Sequence, residues 1–166
     1  MLEREHARLL ALIDGLGHGP AAELAATRAA EALVGLFGAS EVPSVLECFE
    51  VTGKALRSTR GAAMTVVVVH PSRVEIAGVG NVGLRTSSLK IPFLATAGIV
   101  GAQHRPLRVA HMKTAPSGRV VMFSDGISSR FDMAALEGLA PDRACERLLS
   151  DHGADHDDAT VLVADF

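Results

Sequence analysis

Residues 8–20 read RLLALIDGLGHGP. The apolar run Leu9–Ile13 stops at Asp14-Gly15, glycines recur at 15, 17 and 19, and Pro20 closes the stretch. An apolar segment of this length, bounded by Asp-Gly, predicts a buried strand that delivers a loop. Pro20 suits the first turn of a helix, where its missing N–H costs nothing. Beyond it, Leu24, Ala25, Ala29, Ala32, Leu33, Leu36 and Phe37 recur at helical spacing, with Gly38 as the stop.

Further along, a second helix is predicted from Pro43 to about Ser58, with Val45, Leu46, Phe49 and Leu56 on one face. Ser44 and Glu47 have capping-box spacing, while Pro43 points to an earlier start. Gly53 weakens this helix by about 1 kcal/mol relative to Ala. The period then changes. Ala62–Val69 (AAMTVVVV) is apolar and β-branched and predicts a buried strand. Strands are also expected at Val74–Val79, Val82–Thr86, Leu107–Met112, Val120–Phe123 and Thr160–Val163, with a short helix at Asp142–Ser150 carrying Ala144, Cys145, Leu148 and Leu149 on one side. Consecutive strands with short connections favour antiparallel pairing, so the predicted class is α+β.

The 166 residues suit one domain spanning 1–166 and are enough to bury a core. A formal charge of −3 gives no argument for nucleic acid or an anionic membrane, and the longest apolar run, Ala62–Val69, is too short to span a bilayer. No cationic segment followed by an apolar stretch opens the chain, so a cytoplasmic location is expected. Cys48 and Cys145 show no metal-ligand pattern and no His-Asp partners, and are expected to be reduced thiols rather than nucleophiles.

Three acidic sites share one design, an Asp at a strand end beside a turn: Asp14, Asp125 in MFSDGI, and Asp157-Asp158 in HDDATVLV. Carboxylates brought to one sheet edge can hold Mg²⁺ or Mn²⁺, which prefer oxygen ligands. Taken singly, an Asp-Gly is more often a hairpin turn than a ligand. The glycine loop is not a phosphate loop of the Gly-Lys-Ser/Thr kind, nor a dinucleotide fingerprint. His104, Arg105 and Arg108 read as a solvated loop, and Asp151, His152, Asp155 and His156 as a connection.

In order along the chain, DGLGHG (14–19), SDG (124–126) and DDAT (157–160) resemble the metal motifs of bacterial PP2C-type phosphatases of the SpoIIE class. TRGAAMTVVVV (59–69), GVGNV (78–82) and TAGIVG (96–101) resemble more specifically the RsbX-like members. The resemblance implies an α-β-β-α sandwich of two antiparallel sheets flanked by helices. It implies a two-metal site between the sheets at one end, whose water attacks a phosphoserine or phosphothreonine. By that resemblance Asp14 bridges the metals and acts through their water, the Gly15 carbonyl binds the second metal, and Asp125 and Asp157 complete the first. Asp158 stands behind the ligands or as an outer ligand, since Asp157 is the acid of the pair that matches; His18 and Asn81 fall near the site without an assigned chemical step, and local hydrogen bonding of a loop histidine is the ordinary reading of His18.

Members of the family carry a Gly-Gly-Asp segment about eighteen residues before the DGxGxG aspartate, and nothing near Glu3 or Glu5 resembles it. N-terminal strands are therefore expected to be missing. One Mn²⁺ or Mg²⁺ site is expected, with the second left to Asp14 and the Gly15 carbonyl. An exposed edge left by missing strands is compatible with a homodimer. The implied function is RsbX-like dephosphorylation of STAS-domain stressosome proteins. Two alternatives stay open: a catalytically impaired regulatory binding module on the same fold, and a metal-dependent hydrolase of small phosphoesters.

Overall fold

A computed structural model describes residues 1–4, 7–39, 41–87, 91–113, 117–154 and 158–165. The elements run β1 (Leu2–Arg4), β2 (Ala7–Gly15), α1 (Pro20–Phe37), α2 (Val45–Leu56), β3 (Ala62–Val69), β4 (Arg73–Val79), β5 (Gly83–Thr86), β6 (Ala110–Lys113), β7 (Arg119–Phe123), a single 3₁₀ turn at Ala134–Leu136, α3 (Pro141–His152) and β8 (Val161–Asp165). They form two antiparallel sheets, of order β1-β2-β3-β4-β6 and β5-β7-β8.

Side-chain alternation along the strands explains the layering. In β2, Leu10 and Leu12 point between the sheets, where they meet Val67, Ile76, Val120, Met122 and Ala164. Their neighbours Leu9, Ala11 and Ile13 point the other way, against α1 and α2. In β7, Val120 and Met122 face the first sheet, while Val121 and Phe123 meet Ala144 and Leu148 of α3 on the outside. The result is the four-layer α-β-β-α arrangement: helix pair, five-stranded sheet, three-stranded sheet, helix. β3 is the central strand of the larger sheet. Both its faces are covered, which is why it reads as an unbroken apolar run rather than an alternating one. Truncating Leu10, 1% exposed between the sheets, to Ala should cost about 2–5 kcal/mol.

Helix boundaries follow local chemistry. α1 begins at Pro20 and ends at Gly38, as its sequence predicts. Leu24 is exposed, however, and the smaller Ala22 and Ala25 face the sheet, because close packing at the start of α1 leaves room only for small side chains. α2 starts at Val45, not at Pro43. Ser44 is the N-cap, and its capping box with Glu47 is complete. Leu46 is exposed and Cys48 buried, a shift of the buried face set by how α2 docks. That docking uses Glu75, 6% exposed on β4, whose carboxylate accepts the Val45 N–H (3.0 Å) and pairs with Arg73 (2.9 Å). Burial alone would raise the Glu75 pKa; the bonds from Val45 and Arg73 outweigh it and hold the group below its ordinary value.

Other boundaries move by small amounts. β6 lies at Ala110–Lys113, because Leu107 and Val109 pack on the helix-side core instead of pairing. In α3, Ala144 and Leu148 are buried, Cys145 is half-buried and Leu149 is exposed. β1 pairs with β2 through Leu2↔Leu9 and Arg4↔Ala7 and was not expected from its own sequence. Both cysteines are free thiols, and burial pushes Cys48 up to about 12, so it is no nucleophile at neutral pH. Among the described residues no helix is long and apolar enough to cross a membrane.

Candidate active site between the sheets

Asp14 follows Leu10 and Leu12 on the inter-sheet side of β2 and sits opposite Ala63 of β3 in register. The buried apolar pair anchors the strand, and the acid is the next residue on that face, at the rim of the gap between the sheets. Gly15 is buried at the turn into α1. A Cβ there would lie 2.0 Å from the Ala22 carbonyl oxygen, so only glycine lets the loop fold back so closely on the helix start.

The second acid comes from the other sheet. β7 ends at Phe123, and Ser124-Asp125-Gly126 turns away from it. Ser124 is 2% exposed and ties this turn to the segment entering β8. Its N–H donates to the Thr160 carbonyl (3.0 Å), its hydroxyl accepts the Thr160 N–H (3.0 Å), and the same hydroxyl reaches the Asp158 carbonyl (3.4 Å). A Cβ on Gly126 would come within 2.4 Å of the Asp158 carbonyl oxygen, so the two segments approach too closely for any other residue. Asp125 and Asp158 are thereby carried on one stitched unit.

Asn81 completes the arrangement. It sits in the turn between β4 and β5, and its side-chain amide donates to the Asp125 carboxylate. Buried Thr65 fixes that turn by donating to the Val82 carbonyl (2.9 Å). Thr96 holds the end of β4 through paired backbone bonds with Gly78 (2.7 Å) and Gly80 (3.0 Å), and Val100 brackets the start of β3 through Ala62 (2.9 and 3.1 Å). The TAGIVG stretch thus braces the floor of the site rather than entering it.

Asp14, Gly15, Gly17, His18, Ala63, Asn81, Asp125 and Asp158 line one cleft of about 310 Å³. A second, more open cleft of about 500 Å³ shares Asp14, His18 and Asp158 and runs along the start of α1 past Glu23. Six sequence candidates, Asp14, Gly15, His18, Asn81, Asp125 and Asp158, are therefore brought together. Asp157 lies outside the described residues. The acids do not share one sheet edge, as strand-end spacing alone led one to expect. Asp14 belongs to the five-stranded sheet and Asp125 and Asp158 to the other, so they meet across the gap. Among the described residues no three His, Cys, Asp or Glu side chains form a group that could hold a metal ion. The donor type nevertheless fits a hard divalent cation, since carboxylate and carbonyl oxygens with open space for water are what Mg²⁺ and Mn²⁺ take. Ser124 and Thr65 were not singled out in the sequence; a serine directly before the Asp-Gly turn was the available signal.

A family model described as stage II sporulation protein E (SpoIIE) matches residues 4–166. The chain belongs to the SpoIIE family. No protein of curated function matches it. Among solved structures, a protein of the bacterial stressosome, described as a modular system adapted to control secondary messenger signalling, is 29% identical, with a TM-score of 0.85 over 98% of this chain and 86% of that one. RsbX in complex with magnesium is 18% identical, with a TM-score of 0.79 over 98% and 83%. The catalytic domain of the serine/threonine phosphatase PstP with 2 manganese ions is 15% identical, with a TM-score of 0.72 over 99% and 93%. At such identities the last two likenesses speak for the fold alone. The fold of this SpoIIE chain is accordingly that of PP2C-type phosphatases, and the α-β-β-α sandwich read from its motifs stands.

Proposed function

We propose that this chain is a metal-dependent phosphoserine/phosphothreonine protein phosphatase of bacterial stress signalling, acting in the manner of RsbX on phosphorylated STAS-domain stressosome proteins. One observation carries the reading. Asp14, Asp125 and Asp158 arrive from opposite sheets at a single cleft of about 310 Å³, an arrangement with no packing role, since two of the three are exposed. The RsbX and stressosome structures support the substrate class.

Asp14, the Gly15 carbonyl, Asp125 and Asp157 would hold Mn²⁺ or Mg²⁺, with Asp158 and His18 beside them. When bound, such cations neutralise phosphoryl charge and make water nucleophilic at neutral pH. The chain's own residues set the stage for that chemistry. Asn81 fixes the Asp125 carboxylate in one orientation and withdraws one of its lone pairs. Ser124 locks the turn that carries Asp125 to the segment carrying Asp158. The apolar layer beneath, from Leu12 to Met122, keeps water out of the floor while the mouth stays open to a protein substrate. The likeness of PstP to this chain and its 2 manganese ions are consistent with two cations here; with only Asp14 and the Gly15 carbonyl as donors to the second, one would be held more firmly than the other.

Hydrolysis of a phosphoserine STAS protein with Mn²⁺ present, lost in Asp14→Asn, is the expected result. The same scarcity of described acids favours the alternative of a regulatory binding module. That alternative gains if the wild-type chain binds the phosphorylated STAS protein but releases no phosphate at any Mn²⁺ concentration. Cleavage of small phosphoesters with no action on STAS proteins would overturn the substrate assignment.

A further inference from the structure

Most arginines in this chain have work within the fold. Arg119 joins Asp165 and two carbonyls, Arg85 lies over Phe131, Arg28 donates to Ser58, and Arg73 pairs with Glu75. Arg60 differs. It is exposed, and it makes no hydrogen bond or ion pair among the described residues. Yet its place is fixed. The following residue, Gly61, accepts the Leu16 N–H at 3.0 Å, which clamps the start of β3 to the loop after Asp14. Register continues that clamp, with Gly15 opposite Ala62 and Asp14 opposite Ala63. The Arg60 guanidinium consequently lies over the glycine loop: a Cβ added at Gly17 would sit 2.9 Å from its Nη1. Gly17 lines both clefts of the candidate site.

We propose that Arg60 is a substrate-binding residue that grips the phosphoryl oxygens of a phosphomonoester entering the Asp14–Asp125 cleft. This rests on the phosphatase reading above and goes beyond it, since the carboxylates of the site cannot themselves pair with phosphoryl oxygens. The cleft's described lining otherwise offers mainly carboxylates, which repel a phosphate dianion. A guanidinium is always charged, and its planar fork matches two phosphate oxygens at once. Being tethered at its backbone but unpaired at its head, Arg60 can meet the substrate without first breaking a protein contact. Gly17 suits this role because any larger side chain there would push the guanidinium away.

The test compares wild type, Arg60→Ala and Arg60→Lys, each with Mn²⁺. Two readouts are needed: KM and kcat on a phosphoserine STAS peptide, and the affinity of the same peptide carrying a non-hydrolysable phosphonate. Arg60→Ala should weaken phosphonopeptide binding and raise KM by about 10- to 100-fold, the loss of a charge-assisted contact. Arg60→Lys should recover part of that loss. Mn²⁺ affinity and the thermal midpoint should stay at wild-type values, as Arg60 bonds nothing in the fold. Phosphonopeptide affinity within about twofold of wild type in Arg60→Ala, with wild-type binding intact, overturns this inference and leaves the phosphatase reading standing. A fall in Mn²⁺ affinity or thermal midpoint that accounts for the lost activity also overturns it, by assigning Arg60 a structural role. A wild-type chain that neither binds nor cleaves the peptide overturns both.

Discussion

The two ends of β7 carry the same kinds of group to opposite purposes. At its start, Arg119 meets Asp165 of β8 in a two-pronged pair (2.6 and 2.7 Å) and also donates to the Leu136 and Leu139 carbonyls. The pair lowers the Asp165 pKa and raises that of Arg119. Just past its other end, the strand delivers Asp125, which among the described residues pairs with no cationic side chain and receives the amide of Asn81. One acid is neutralised by the fold. The other is held in position with its charge left for something that arrives from outside. That contrast separates a carboxylate the fold uses from one that the proposed function would use.

The sharpest break in the comparison is Asp125→Asn. Removing a partner that merely orients a ligand typically costs about 10–100-fold, so removing the acid itself should lower kcat by more than about 100-fold. The thermal midpoint should be unchanged, because Asp125 is exposed. Steady-state kinetics beside calorimetry would check this. The mirror experiment is Arg119→Met, which strands Asp165 and two carbonyls. A loss of about 2–3 kcal/mol is expected, and with it a midpoint lower by about 4–12 °C, while kcat at low temperature stays at wild type. An activity loss without a stability loss there would remove the distinction between the two ends. Asn81→Ala sits between them. It frees the Asp125 carboxylate without removing it, and about a 10-fold fall in kcat with weaker Mn²⁺ binding is expected.

The sequence disclosed one half of this picture better than the other. The β2–loop–α1 unit was legible because its signals are local: an apolar run, Asp-Gly, then Pro20. β3 was legible because the unbroken, β-branched run Ala62–Val69 favours a strand covered on both faces. Which strands share a sheet is a non-local matter, decided by packing between faces rather than by period. Strand-end spacing alone therefore points to one edge, whereas the acids face each other across two sheets, the place the family resemblance implied. β1 escaped notice because three alternating residues carry no pattern; Leu2 is held by its register with Leu9, not by its own propensity. The family motifs located Asp14 and Asp125 directly. They spanned Ser124 and Thr65 without giving either a part, because those parts are hydrogen bonds to residues distant in sequence.

The smallest expected effect tests the structural end of β7 by pH. Asp165 is held below its ordinary 3.8, chiefly by the hydrogen bonds from Arg119; burial opposes them, and the Arg119 charge adds a smaller lowering. A depressed carboxylate stabilises the native chain when ionised. The unfolded chain binds the proton first as pH falls, so the contribution is complete above about pH 5 and is lost as pH falls through 3.8 toward the native value. Because the Asp165 side chain is 46% exposed, solvent screens the pair, and the contribution should not exceed about 1 kcal/mol. Denaturant midpoints at pH 6 and pH 3.5 should therefore converge slightly between wild type and Asp165→Asn. Asp165→Asn should be the weaker protein at pH 6, by a gap that has begun to narrow at pH 3.5. An equal gap at both values would mean that the Asp165 charge contributes nothing, and that Arg119 is held by the two carbonyls alone.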